Sequence, residues 1–133
     1  MGIAAIVARA FVGVPEPLPR SRVERFPELG VVRLRRGGLP PRIGGWALGR
    51  ATVDAITLRT RVFLAPQAPL DPELLLHEAR HVQQFFESWT FPLRYLWESV
   101  LYGYTGNRYE VDARRYASQR LAAERPRNSS RGA

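Results

Sequence analysis

The pattern of hydrophobic and polar positions predicts an N-terminal helix, then short strands in the rest of the first half of the chain, and helices in the second half. An apolar run at 2–12 has the character of a helix that packs on the domain, and the proline- and arginine-rich stretch 15–22 is expected to be extended. β-branched and aromatic residues then predict short strands at 29–34, 55–58 and 61–64, and residues 44–48 are interpreted as a short strand or the entry to one. The strands at 55–58 and 61–64 follow each other closely enough to form a hairpin, so we expect a small antiparallel sheet.

The first helix after this sheet is clearly bounded. Asp71 is a good N-cap, Pro72 suits the first helical position, and no helix breaker occurs before Phe86 or Glu87. Several of its apolar side chains are expected in the core, namely Leu74, Leu75, Val82, Phe85 and Phe86.

A second helix is predicted over 91–102 and a third from Asn107 to about Glu124, with a break at 103–106. The second carries an apolar stripe at helical spacing, which is expected to be core: Leu93, Leu96, Trp97, Val100 and Leu101. The predicted fold class is therefore α+β, a small antiparallel sheet followed by three helices. We assign 1–22 to an N-terminal helix and connector, 23–125 to the main domain, and 126–133 to a disordered tail.

Composition narrows the function classes. The chain has 133 residues, of which 45% are hydrophobic, and this fits one compact domain. No run approaches the about 18 consecutive apolar residues of a membrane span. The apolar N-terminus has no basic residues before it, which argues against a secretory signal and for a cytoplasmic location, with peripheral membrane attachment as the alternative.

Charge and cysteine content bear on partners and metals. The net charge is +8, and every basic residue is arginine. The arginines are mostly scattered, which is typical of a solvated surface, although a basic nucleic-acid-associated module is an alternative. Because the chain contains no cysteine, any metal must be held by histidine and carboxylate side chains.

The strongest motif is His77-Glu78-x-x-His81, which contains both histidines of the chain. Residues four apart lie on one face of a helix, so both imidazoles can bind one metal ion. Glu78 is then placed to take a proton from a water held by the metal. A solvated or core-satisfied histidine pair is the alternative interpretation.

A catalytic zinc site needs a third protein ligand, which here must be Glu or Asp. Glu110 is favoured because it lies in the first turn of the third helix, where Ala113 and Ala117 share its face and would allow close helix packing. The competing role for Glu110 is a capping box with Asn107. Asp112 and Glu87 are weaker candidates, because a continuous helix turns Glu87 away from the histidines.

These motifs resemble the gluzincin clan of zinc metallopeptidases, and more closely small bacterial metallopeptidase domains also found near extracellular contractile injection systems. The resemblance covers roughly residues 44–120, including the β-rich segment 57–64 and the His-Val-x-Gln continuation of the motif. It implies a minimal zincin-like domain with His77, His81 and Glu110 as zinc ligands and Glu78 as the general base.

Two features of that family are unassigned here. Many gluzincins carry an aspartate four residues after the glutamate ligand to orient a histidine, but this position is Arg114, so Asp112, Asp54 or a backbone carbonyl would have to serve. For stabilising the oxyanion, Tyr104 and Tyr109 are the candidates nearest to Glu110 in sequence.

We therefore expect a zinc-dependent enzyme that hydrolyses a peptide bond in a peptide or protein substrate. A zinc-binding scaffold without turnover is the main alternative.

Overall fold

The computed structural model describes the backbone of residues 2–42 and 54–129, and side chains through residue 124. The chain divides into two compact units, Met1–Pro69 and Leu70–Ala133. In the described residues, the first unit holds the strands and the second consists of helices. The α+β class predicted from the sequence is therefore confirmed. The stretch 44–48, interpreted as a short strand or the entry to one, lies outside the described residues.

The first unit is built around a sheet with the strand order β1-β2-β4-β3. Its elements are α1 (Ile3–Val12), β1 (Val14–Pro15), α2 (Arg20–Arg25), a 3-10 helix (Pro27–Val31), β2 (Arg33–Arg36), β3 (Ala55–Leu58) and β4 (Arg61–Leu64). The predicted hairpin is confirmed, because β3 and β4 pair antiparallel. β2 and β4, however, pair parallel, so the sheet is mixed rather than antiparallel. A parallel pair needs a long connection, and 24 residues separate β2 from β4 in the sequence.

In three places, the structure of this unit differs from the sequence prediction. The stretch 29–34 begins as a 3-10 helix started by Pro27 and becomes a strand only at Arg33. The stretch expected to be extended turns into α2 at Arg20, because Pro19 stands before the helix and does not interrupt it. Helix α1 forms as predicted but has no buried residue, so it does not pack into the core.

The second unit contains helices α3 (Pro72–Glu87), α4 (Phe91–Gly106) and α5 (Arg108–Ser129). Asp71 caps α3 by accepting a hydrogen bond of 2.8 Å from the backbone N–H of Leu74. Gly103 breaks α4 with a φ of 72°, a left-handed conformation that favours glycine. Helix α5 continues past its expected end near Glu124, and residues 130–133 of the expected tail lie outside the described residues.

Helix α3 packs mainly against α5, and this contact positions the candidate site. Ala113 and Ala117 of α5 are fully buried, as are Leu75 and Val82 of α3. Small side chains at a helix contact allow the two axes to approach closely. Polar side chains on the facing sides of α3 and α5 can therefore reach one another.

The apolar stripe of α4 was wrongly predicted to be core. All five of its side chains are more than half exposed. The opposite face of α4 packs inward, because Tyr95 bonds to Glu110, and Asn107 donates to both the Tyr95 carbonyl and the Ser99 hydroxyl. Phe86 is also exposed, contrary to expectation, whereas Leu74 and Phe85 are partly buried.

Among the residues that the structure describes, no helix has both the length and the apolarity needed to cross a bilayer.

Candidate metal centre

Three side chains from two helices converge in the second unit. His77 and His81 lie one turn apart on α3, and their Nε2 atoms are 3.2 Å apart. Glu110, in the first turn of α5, places Oε2 2.9 Å from Nε2 of His77 and Oε1 3.0 Å from Nε2 of His81. His81 and Glu110 are buried, and the His77 side chain is 14% exposed.

The spacing of these atoms fits a bound divalent metal ion. A tetrahedral ion with metal–ligand bonds of about 2.0–2.1 Å holds neighbouring ligand atoms about 3.3 Å apart. The separations of 2.9–3.2 Å are close to that value. Two imidazole nitrogens and one carboxylate are also a ligand set that several divalent metals accept. The His77, His81 and Glu110 group can therefore bind a metal ion, whose identity this geometry leaves open.

Glu110 reaches the histidines because Asn107 caps α5 without its help. The Asn107 side-chain oxygen accepts a hydrogen bond of 2.9 Å from the Tyr109 N–H. The Asn107 N–H itself bonds to the Tyr104 carbonyl at 3.4 Å. A capping box would require the Glu110 carboxylate at that N–H, and the carboxylate instead faces the histidines.

The two weaker ligand candidates are engaged by Arg80 instead. Its Nε donates to Asp112 at 2.6 Å, and its Nη1 donates to Glu87 at 3.0 Å. Neither carboxylate belongs to the converging group.

Gln84 orients His81, a role that the sequence interpretation did not assign to it. Its Oε1 lies 2.7 Å from Nδ1 of His81, and its Nε2 donates to the Tyr109 carbonyl at 3.1 Å and to Asp112 at 2.9 Å. Asp112 thus acts on His81 through Gln84, while Asp54 belongs to the first unit. The sequence feature that could have indicated this role is the spacing of Gln84, three residues after His81, because residues at that spacing lie side by side on a helix.

Tyr95 is a second residue that the sequence interpretation missed. Its hydroxyl donates a hydrogen bond of 2.6 Å to Oε1 of Glu110, and its ring packs edge-on against His81. Burial, reinforced by the charge of Glu110, raises the pKa of Tyr95, so the hydroxyl stays protonated as a donor. Its position fixes the carboxylate from the side of α4.

The two tyrosines predicted from the sequence differ in placement. The Tyr104 hydroxyl hydrogen-bonds to Glu110, so it lies beside the metal-binding group. Burial, the charges of Glu110 and Glu78 and this hydrogen bond raise the pKa of Tyr104. The Tyr109 hydroxyl instead accepts a hydrogen bond of 3.0 Å from Arg108, and its ring packs on Phe91.

The site is electrostatically suited to a cation. Burial would lower the pKa of His81, but the hydrogen bond with Glu110 and the charge of Glu78 outweigh it and raise that pKa to about 9. Burial would likewise raise the pKa of Glu110, yet hydrogen bonds from His77 and His81 hold it well below its usual range. Glu78 is itself only 5% exposed. Two carboxylates in a low-dielectric pocket attract a proton or a metal ion strongly.

Comparisons of this chain with models of known protein families, with curated proteins and with solved structures found no match.

Proposed function

We propose that this chain is a zinc-dependent peptidase of the gluzincin type, with Glu78 as its general base. The observation that carries the proposal is the position of Glu78. It follows the ligand candidate His77 directly, is buried, and its charge acts on His81, Tyr95 and Tyr104. A carboxylate buried beside such a group is well placed to take a proton from a water molecule bound there.

Zinc is the proposed metal because the ligand set matches its catalytic sites. Those sites use three protein ligands and keep one position open, and a His-His-Glu set is among the known combinations. Bound zinc supplies a Lewis acid that acidifies a coordinated water and polarises a carbonyl group. The partial exposure of the His77 side chain is consistent with a site that solvent can reach.

The side chains of this protein would then share the work of hydrolysis. Glu78 accepts the proton that water loses on attacking the peptide carbonyl and delivers it to the departing amine, so that a peptide bond and a water molecule become a carboxylate and an amine. Tyr104, whose raised pKa keeps it protonated, would turn its hydroxyl proton from Glu110 to the developing oxyanion. Gln84 and Tyr95 hold His81 and Glu110 in place.

The test is hydrolysis of a fluorogenic peptide library by zinc-loaded protein and by Glu78→Gln. We expect the variant to retain zinc and to lose activity by about a hundredfold or more, since general-base catalysis contributes about 10²–10⁴ in rate. Glu73→Gln is the matched control, because Glu73 is an exposed residue in the first turn of the same helix.

Equal hydrolysis by Glu78→Gln would contradict the role of Glu78. Zinc binding without cleavage of any peptide by the wild-type protein would replace the proposal with a zinc-binding scaffold.

A further inference from the structure

Helix α4 presents a continuous apolar surface to solvent, here called the α4 face and formed by Leu93, Leu96, Trp97, Val100 and Leu101. Residues three and four apart lie side by side on a helix, so these side chains form one stripe. Trp97 is 64% exposed, and Trp89, just before the helix, is 90% exposed. Soluble monomers rarely expose large contiguous apolar patches, and those that occur usually mark a binding surface.

The exposure of this face follows from how α4 is anchored. Its other side is fixed by buried Phe91, by the Tyr95 hydroxyl on Glu110 and by the Ser99 hydroxyl, which accepts from Asn107. Rotating α4 to bury the stripe would break all of these contacts. The stripe therefore stays outward while the opposite side supports the candidate metal centre.

The charges near the α4 face favour an anionic partner. Within 91–106 the ionisable acidic and basic residues are Arg94, which is exposed, and Glu98, whose side chain is only 15% exposed and pairs with Arg108 at 3.4 Å. The Arg108 side chain remains 62% exposed. The unit that carries the α4 face, Leu70–Ala133, has nine arginines and eight acidic residues, a net charge of +1, so any attraction comes from the exposed Arg94 and Arg108 beside the face. A second copy would bring the same exposed arginines, whereas an anionic surface would be attracted by them.

The chemistry of the α4 face matches a lipid bilayer more closely than a folded groove. The five side chains of the α4 face all belong to one helix, rather than to two elements that together form a groove. Tryptophan and arginine are favoured where acyl chains meet headgroups, since an apolar body and a polar end are satisfied together. Leucine and valine between them supply apolar area that can enter the acyl boundary.

We propose that the α4 face binds the surface of an anionic lipid bilayer, with α4 lying in the plane of the interface. Leu93, Trp97 and Val100 enter the acyl boundary, and Arg94 contacts the headgroups. The metal-binding group, on the opposite side of α4, would then lie above the membrane surface. The inference does not depend on the proposed peptidase activity.

The test is co-sedimentation of the full chain with vesicles of phosphatidylcholine and phosphatidylglycerol in equal parts, and with vesicles of phosphatidylcholine alone. We expect binding to the anionic vesicles, weaker binding to the neutral ones, and a loss of binding at high salt. Trp97→Gln should reduce the partition coefficient by about tenfold or more. Leu58→Gln is the matched control, because Leu58 is a half-exposed apolar residue of β3.

Because Trp97 is exposed, its replacement should leave the fold intact, which circular dichroism and unchanged metal content would verify. The absence of sedimentation with anionic vesicles would overturn the proposal, and so would equal loss of binding in Leu58→Gln. A concentration-dependent dimer that Trp97→Gln abolishes, in protein that does not bind vesicles, would assign the α4 face to a second copy instead.

Discussion

The side-chain oxygen of Gln84 lies 2.7 Å from Nδ1 of His81. The amide nitrogen of Gln84 donates to the Tyr109 carbonyl and to Asp112, so its oxygen must be the acceptor that faces the ring. In the neutral imidazole the proton therefore resides on Nδ1, which leaves Nε2 to bind a metal ion. Helix α5, which provides Glu110, thus also sets the orientation of a histidine on α3.

Replacing Gln84 by leucine should weaken metal binding. The substitution removes the acceptor for Nδ1 of His81 and leaves the ring orientation unsupported, and losses of this kind lower metal affinity by about 10–100-fold. The measurement is a competition titration with a chelator of known affinity. Gln83→Leu serves as the control, because Gln83 lies beside Gln84 and its oxygen accepts from Arg80 rather than from a histidine. Unchanged affinity in Gln84→Leu would show that His81 needs no such support.

Asn107→Ala should destabilise the protein. Asn107 is fully buried, caps α5 and donates to the Tyr95 carbonyl and the Ser99 hydroxyl. Loss of the cap and of hydrogen bonds to buried partners should cost about 2–4 kcal/mol in the free energy of unfolding, measured by urea denaturation. Ser118→Ala, at an exposed position of α5, should change it by about 0.5 kcal/mol or less. If the two variants lost similar amounts of unfolding free energy, Asn107 would not be a residue that links α4 and α5.

Metal affinity should depend strongly on pH. The hydrogen bond with Glu110 and the charge of Glu78 outweigh burial and raise the pKa of His81 to about 9, so a proton competes with the metal at neutral pH. Affinity should rise by about tenfold per pH unit for each proton displaced, and this proton should cease to compete above a pH of about 9. The titration requires correction for the pH dependence of the chelator. A constant affinity between about pH 6 and pH 8 would contradict protonation of the site.

The sequence predicted the parts of the site that depend on local spacing. Helical periodicity indicated that His77 and His81 share one face, and their Nε2 atoms are indeed 3.2 Å apart. The small residues Ala113 and Ala117 indicated a close helix contact near Glu110, and both are buried. Gln84 lies three residues after His81, but the contacts that fix its amide orientation are with residues of α5 that are 25 and 28 positions away, which local spacing does not reveal.

The difference between local spacing and contacts that are distant in sequence also explains the errors in the predicted fold. Periodicity showed that α4 has an apolar face, but not which face points inward. Contacts with Glu110 and Asn107, distant in sequence, decide that Tyr95 and Ser99 face the interior. The parallel pairing of β2 with β4 likewise joins strands separated by β3, whereas the β3–β4 hairpin follows from adjacency.

The central claim is that His77, His81 and Glu110 together hold one metal ion. It is tested most directly by elemental analysis of the purified protein after zinc reconstitution and removal of excess metal, alongside His81→Ala and Glu110→Ala. We predict about one zinc ion per chain in the wild-type protein and almost none in either variant, because a zinc site rarely survives the loss of one of three protein ligands. Full zinc content in Glu110→Ala, or no zinc in the wild-type protein, would contradict this assignment.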